Sequence, residues 1–264
     1  MNRLSTAIRD LRSGLAILRR GAASFALILL VAALPGIAGA PLGVRLPVLF
    51  LVLWLGLSVA ARHRNPAPVR RGRLSLSLRG FTATLQGWFY GAMLAGLTLM
   101  VLTAGLGYPV AFLFGLPGLH LSWPDGASTL EAVIANGHSA GIVTGAFAGF
   151  VVLAAILASL AAIAKFLPVA VVAVRDRVTY ATARTALEPD GANPQMRLSL
   201  AVLLAGLPAG LLVVLAGLGG AGTEELAASI LFPLAILLHV VTAMALVERT
   251  CPAAKNDSQT GPSD

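Results

Sequence analysis

Residues 141 to 164 carry no charged side chain. An apolar run of that length satisfies its backbone polar groups most readily as a helix inside a bilayer. The run lies within a longer segment, Gly137 to Val174, whose only Lys, Arg, Asp or Glu is Lys165. Gly137, Gly141, Gly145 and Gly149 recur in it at every fourth position. On one helix they line one side and let a neighbouring backbone approach closely, which places this helix at the centre of a bundle.

The rest of the chain is built in the same way. With 57% hydrophobic and 11% charged residues, it is too apolar for a soluble domain of its length. The expected fold is all-α: a polytopic membrane helical bundle of about six transmembrane helices. The net charge of +8 does not indicate a nucleic-acid partner, because nearly all basic residues flank apolar runs, where membrane topology places them. Arg outnumbers Lys 17 to 2 alongside abundant Ala, Gly and Leu, a usage that fits a GC-rich bacterial source. Cys251 is the single cysteine, so no intrachain disulfide forms and no zinc signature is present.

Residues 1 to 20 place Leu4, Ile8, Leu11, Leu15 and Leu18 at alternating spacings of four and three, with Arg3, Arg9, Arg12, Arg19 and Arg20 mostly elsewhere. This reads as a basic amphipathic segment, suited to the headgroup layer or to fixing orientation. Residues 21 to 250 form the transmembrane domain. Its first span follows Gly21. Ala38-Gly39-Ala40 resembles a signal-peptidase site, but Pro41 argues against cleavage, so the span is expected to be retained. The second span covers Leu46 to Ala61, and the third about Leu85 to Leu106. Residues 108 to 126, cut by Pro109, Pro117 and Pro124, are expected to form an interfacial or re-entrant loop.

Ser128-Thr129-Leu130-Glu131 is a capping-box pattern that starts a helix. That helix either leads into the glycine-rich span or bends near Gly137. Lys165 can snorkel and Pro168 can kink the exit. Beyond it, Val171, Val174, Val178 and Ala181 suggest a helix lying on the membrane surface up to Pro189. Leu198 to Leu218, with Gly206-x-x-x-Gly210, is the fifth span and Leu226 to Val247 the sixth. Residues 251 to 264 form a polar tail expected to be disordered.

Orientation follows from the loops. Residues 1 to 20, 62 to 79, 165 to 197 and the C-terminal segment hold five, six, five and two Lys or Arg, whereas the opposite side holds only Arg45. Positive residues stay in the cytoplasm, so both termini are expected there. Asp125, Glu131, Glu224 and Glu225 then fall outside.

From residue 166 to residue 204 the chain shows a span, a Phe166-Leu167-Pro168 exit, an amphipathic segment with Ala183-Arg184-Thr185, and a new span after Arg197. This order resembles the integral-membrane domain attached to some glycerophosphodiester phosphodiesterases, and the six-helix bacterial inner-membrane proteins similar to it. Members often have Arg-Ser-Trp where this chain has Arg184-Thr185-Ala186. The resemblance implies architecture and brings no catalytic residue with it.

Little else in the sequence points to chemistry, and no catalytic, cofactor or metal residue is assigned. His239 lies mid-span, where an ionisable group is a candidate polar site. It is expected to be neutral and bonded to a carbonyl or to Thr242. Glu224-Glu225 before a span suggests an intramembrane protease, but Ser229 stands where such enzymes carry arginine. The expected function is non-enzymatic organisation of lipid or membrane partners, or of further copies of the chain. Small-residue faces (Gly137, Gly141, Gly145, Gly149, Gly206, Gly210) and a basic cytoplasmic surface (Arg70, Arg71, Arg73, Arg175, Arg177, Arg184) meeting anionic headgroups would carry it. The alternative is a transporter or permease subunit with a path between helices broken at Pro35, Pro208 and Pro233.

Overall fold

A computed structural model describes residues 3–40, 42–64, 73–114, 121–176, 178–187 and 194–250. Arg70, Arg71, Arg177 and the 251–264 tail lie outside the described residues. Among those described, regular structure is helical throughout: α1 (Arg3–Arg20), α2 (Ala22–Ile37), α3 (Leu42–Arg64), α4 (Arg73–Leu113), α5 (Thr129–Ala140), α6 (Ile142–Asp176), α7 (Tyr180–Leu187), α8 (Pro194–Ala216) and α9 (Ala221–Thr250). The protein is an all-α polytopic helical bundle. Five helices, α3, α4, α6, α8 and α9, are long and apolar enough to cross a membrane. A sixth span is reached when α1 and α2, bent by 89° at Gly21, count as one.

Each span has a lipid-facing side. Leu27, Leu30 and Leu34 on α2, Met93, Leu97 and Met100 on α4, and Leu211 and Leu215 on α8 are exposed at helical spacing. In water such rows would be aggregation sites, whereas facing acyl chains they need no partner. Two polar relationships mark the ends of the bundle. Arg45 pairs with Glu225 at 3.0 Å where α3 and α9 begin, and Arg249 pairs with Asp10 at 2.6 Å where α9 finishes against α1.

The glycine-rich segment differs from the single helix expected. Gly141 adopts φ +91°, a left-handed conformation open to glycine, and it separates α5 from α6. The helix that starts at Ser128 therefore ends before the span. Gly137 and Gly145 face one another across the break, so that a Cβ on Gly145 would lie 2.7 Å from the Gly137 Cα. The close approach is real but joins α5 to α6, and Gly149 meets only the Val133 side chain, at 3.8 Å.

The bundle centre also lies elsewhere. In α9, 61% of the most apolar window is buried, against 28% in α6, so α9 is the central helix. His239 to Val247 of α9 and Phe166 to Val174 of α6 are buried on all sides, as expected of helical stretches apolar around their whole circumference. Val171 and Val174 are therefore core residues. The expected surface helix is reduced to α7, which buries Ala183 and Leu187 while Ala181 is exposed.

One further boundary moves. α4 continues through Pro109 to Leu113, so the first part of the expected 108–126 loop is helical; residues 115–120 lie outside the described set. Gly87 and Gly91 lie one turn apart on α4. They form a notch for the Phe166 ring, which would lie 2.9 and 2.7 Å from a Cβ at each position.

Candidate functional site

The end of the bundle that gathers α1 and the last turns of α9 carries the most chemistry. α1 buries Ala7, Asp10, Gly14, Ile17 and Gly21, a three-and-four spacing that defines one face. Gly14 is needed there: a Cβ would stand 2.9 Å from the backbone of Thr242. At Gly21 the His63 ring fills the equivalent space, 2.7 Å away. The Asp10 side chain is buried, and its Oδ1 accepts a hydrogen bond from Nη1 of Arg249. The second Arg249 nitrogen donates to the Ser13 hydroxyl.

The leucine stripe lies to one side of this contact. Ile8 and Leu15 remain exposed, roughly a third of a turn round the helix from the centre of the buried side at 100° per residue. Arg9, Arg12, Arg19 and Arg20 occupy the exposed arc beyond them. α1 thus has three sides: small residues against α9, an apolar edge and a basic edge. The heptad of small residues, Ala7, Gly14 and Gly21, with Asp10 as the only acid in the first twenty residues, was the signal available for the docking face.

The other basic residues divide. Arg175 does not reach outward. Its guanidinium forms a two-pronged contact with the adjacent Asp176, at 2.7 and 2.6 Å, and its side chain is only 5% exposed. Arg184 is exposed on α7, and Arg73 opens α4. Tyr180 lies against Tyr90, with ring centroids 6.0 Å apart. Burial pushes the Tyr180 phenol up from its ordinary range, while the Arg184 guanidinium acts in the opposite direction.

His239 lies inside the bundle and is 3% exposed. Among the described residues neither ring nitrogen has a hydrogen-bond partner; the Val202 backbone approaches it from α8 without meeting hydrogen-bond geometry. Thr242 does not serve it, since that hydroxyl donates to the Leu238 carbonyl at 2.7 Å. Space for the ring comes from Gly206, where a Cβ would lie 3.0 Å from Cε1 of His239. The same notch receives Leu160, and Gly210 one turn on receives Ile156. Gly206 and Gly210 thus let α8 close onto α6, with His239 at one edge of the contact.

At the opposite end the acidic residues serve structure. Ser128 and Glu131 complete the capping box, with hydrogen bonds of 3.2 Å to Ser128 Oγ and 2.7 Å to Glu131 Oε2. The Ser128 backbone N–H, then its hydroxyl, hold the Glu131 carboxyl below its ordinary value of 4.5. Glu224 accepts from the Thr129 N–H at 2.6 Å, and Glu225 pairs with Arg45. Asn136 is buried and clamps Ser122, donating to its carbonyl and accepting from its N–H. The paired glutamates are thus committed to two different elements rather than to one reaction centre. Among the described residues, no three His, Cys, Asp or Glu side chains come together in a way that could hold a metal.

No family model, curated protein or solved structure matches the chain. The fold and the positions just described define its class: a multi-pass membrane protein.

Proposed function

We propose that this protein is a non-enzymatic component of a bacterial inner membrane that organises anionic lipid, and membrane partners or further copies of itself. Its basic face lies in the cytoplasm with both termini. The observation that carries this reading is α1. Ion pairing and a glycine contact fix it to the central helix, it turns 89° away from α2, and it leaves an apolar edge beside four exposed arginines. A helix with that division of faces suits the boundary between headgroups and acyl chains.

Charge supports the same assignment. On the proposed topology the cytoplasmic side carries 18 Lys and Arg against seven Asp and Glu. Each basic residue near an anionic surface contributes about 1 kcal/mol of attraction. The transporter alternative needs helices broken at proline, yet α2, α8 and α9 continue through Pro35, Pro208 and Pro233. The likeness of residues 166 to 204 to the integral-membrane domain of phosphodiesterases is kept as a proposal about architecture alone.

The test is lipid retention. Protein extracted in mild detergent and examined by native mass spectrometry is expected to carry phosphatidylglycerol or cardiolipin in preference to phosphatidylethanolamine. Replacing Arg9, Arg12, Arg19 and Arg20 with Gln should reduce that preference. Equal retention of anionic and zwitterionic lipid by the wild type would remove the proposal.

A further inference from the structure

Between α4 and α6 the surface opens into an apolar groove of about 360 Å³, lined by Thr98 and Leu102 on one side and by residues of α6 from Phe150 to Ala161 on the other. Its single hydroxyl is already used, since Thr98 donates to the Leu94 carbonyl at 2.7 Å. The groove offers an occupant hydrocarbon contact and nothing polar.

Its dimensions and one charge identify what fits. Phe150 to Ala161 is eleven residue steps, or about 16 Å along a helix, close to half of the roughly 30 Å hydrocarbon core. The groove is therefore about as long as one leaflet is thick. Leu157 and Ala161 line it, and the next residue on that ridge, four further on, is Lys165, exposed to the outside. Lys165 lies toward the basic end of the bundle. The exposed Tyr90 of α4 lies two turns from Thr98 in the same direction, as is common for aromatics at headgroup depth. A lysine above an apolar trough snorkels to the height of lipid phosphates.

We propose that this groove is a specific site for one anionic glycerophospholipid of the cytoplasmic leaflet, with an acyl chain along α4 and α6 and its phosphate on Lys165. It rests on the lipid-organising reading but is separate from the basic surface of α1. The groove selects by chain and charge together, whereas α1 selects by charge alone.

The two are separable by experiment. The full chain is placed in nanodiscs containing phosphatidylglycerol and phosphatidylcholine, and lipid retained after release is counted by native mass spectrometry across a salt series. Wild type is expected to keep one phosphatidylglycerol through high salt, because a chain held in a groove adds attachment that salt does not screen. Lys165→Gln should weaken that lipid about five-fold, corresponding to one surface charge, and Lys165→Arg should restore it. Ala161→Trp, at an exposed lining position, should fill the trough and abolish salt-resistant retention while leaving salt-sensitive binding intact. Gln at Arg9, Arg12, Arg19 and Arg20 should do the reverse.

Unchanged salt-resistant retention in both Lys165→Gln and Ala161→Trp would overturn the site. So would equal occupancy by phosphatidylcholine, or a second copy of the chain in its place, seen as a dimer mass that Ala161→Trp dissociates. Loss of salt-sensitive binding with the salt-resistant lipid retained would remove only the α1 reading.

Discussion

Arg249, at the end of the central helix, holds Asp10 of the first helix through an Nη1 to Oδ1 contact of 2.6 Å, with the Asp10 side chain buried and the Arg249 side chain 32% exposed. The pair joins residues 239 positions apart and closes α1 onto the bundle. Its unequal burial sets unequal costs. Arg249→Ala takes a cation from a buried carboxylate, a loss of about 3 kcal/mol. Asp10→Ala leaves a guanidinium that can turn to water, at about 1 kcal/mol. Thermal unfolding in one detergent should rank Arg249→Ala as the less stable variant. Equal stability of both with the wild type would show that the ion pair does not hold α1.

Glycines with and without neighbours give a second comparison. Gly14→Leu pushes a side chain into the Thr242 backbone, and Gly145→Leu does the same at Gly137. Each overpacking should cost about 1 to 3 kcal/mol. Gly96 has nothing within 4 Å of its would-be Cβ, so Gly96→Leu should leave unfolding unchanged or slightly improved. Equal losses at all three positions would mean that the close contacts are not what the glycines provide.

His239 offers a third. A buried ring without hydrogen-bond partners carries a desolvation penalty of about 1 to 3 kcal/mol. His239→Leu, comparable in volume and apolar, should therefore raise the unfolding temperature. Gly206→Ala should lower it, because the added methyl meets Leu160 and the ring. Destabilisation by His239→Leu would show that the imidazole is satisfied.

Acid should loosen the opposite end. The Glu131 carboxyl is held below its ordinary value by the capping box. Its contribution is present above the unfolded value near 4.5 and is lost as pH falls through the lower folded value. Protection from hydrogen exchange at Thr129 to Val133, corrected for the intrinsic amide rate, which itself falls with pH, should decrease on acidification in the wild type. In Glu131→Gln that pH dependence should be flatter.

What was legible in the sequence followed from physics acting along the chain. Apolar runs gave the spans, Ser128 with Glu131 gave the start of α5, and a basic flank gave α1 as a helix. What was missed depends on which face meets which neighbour. The stripe Ile8, Leu11, Leu15 stands out in the sequence whereas the docking face Ala7, Gly14, Gly21 does not, because a soluble-protein pattern seeks large apolar residues while helix contact in a bilayer favours small ones. Four evenly spaced glycines suggested one helix face, yet Gly141 takes a positive φ, which spacing does not encode. Arg175 reads in sequence as a headgroup ligand, whereas in the fold the neighbouring Asp176 holds its guanidinium. His239 was legible as an intramembrane polar residue; its lack of a partner depends on α8 and α9 together.

Orientation bears most directly on whether the basic face meets the cytoplasmic leaflet, and the natural Cys251, next to Thr250 at the end of α9, allows it to be read. Intact cells are treated with a membrane-impermeant maleimide before and after permeabilisation. A Cys251→Ser, Gly222→Cys variant, with its thiol at the exposed start of α9, is treated in parallel. The expected result is labelling of Cys251 only after permeabilisation and of the cysteine at position 222 in intact cells. Labelling of Cys251 in intact cells, with position 222 protected, would contradict the orientation and the lipid-organising function built on it.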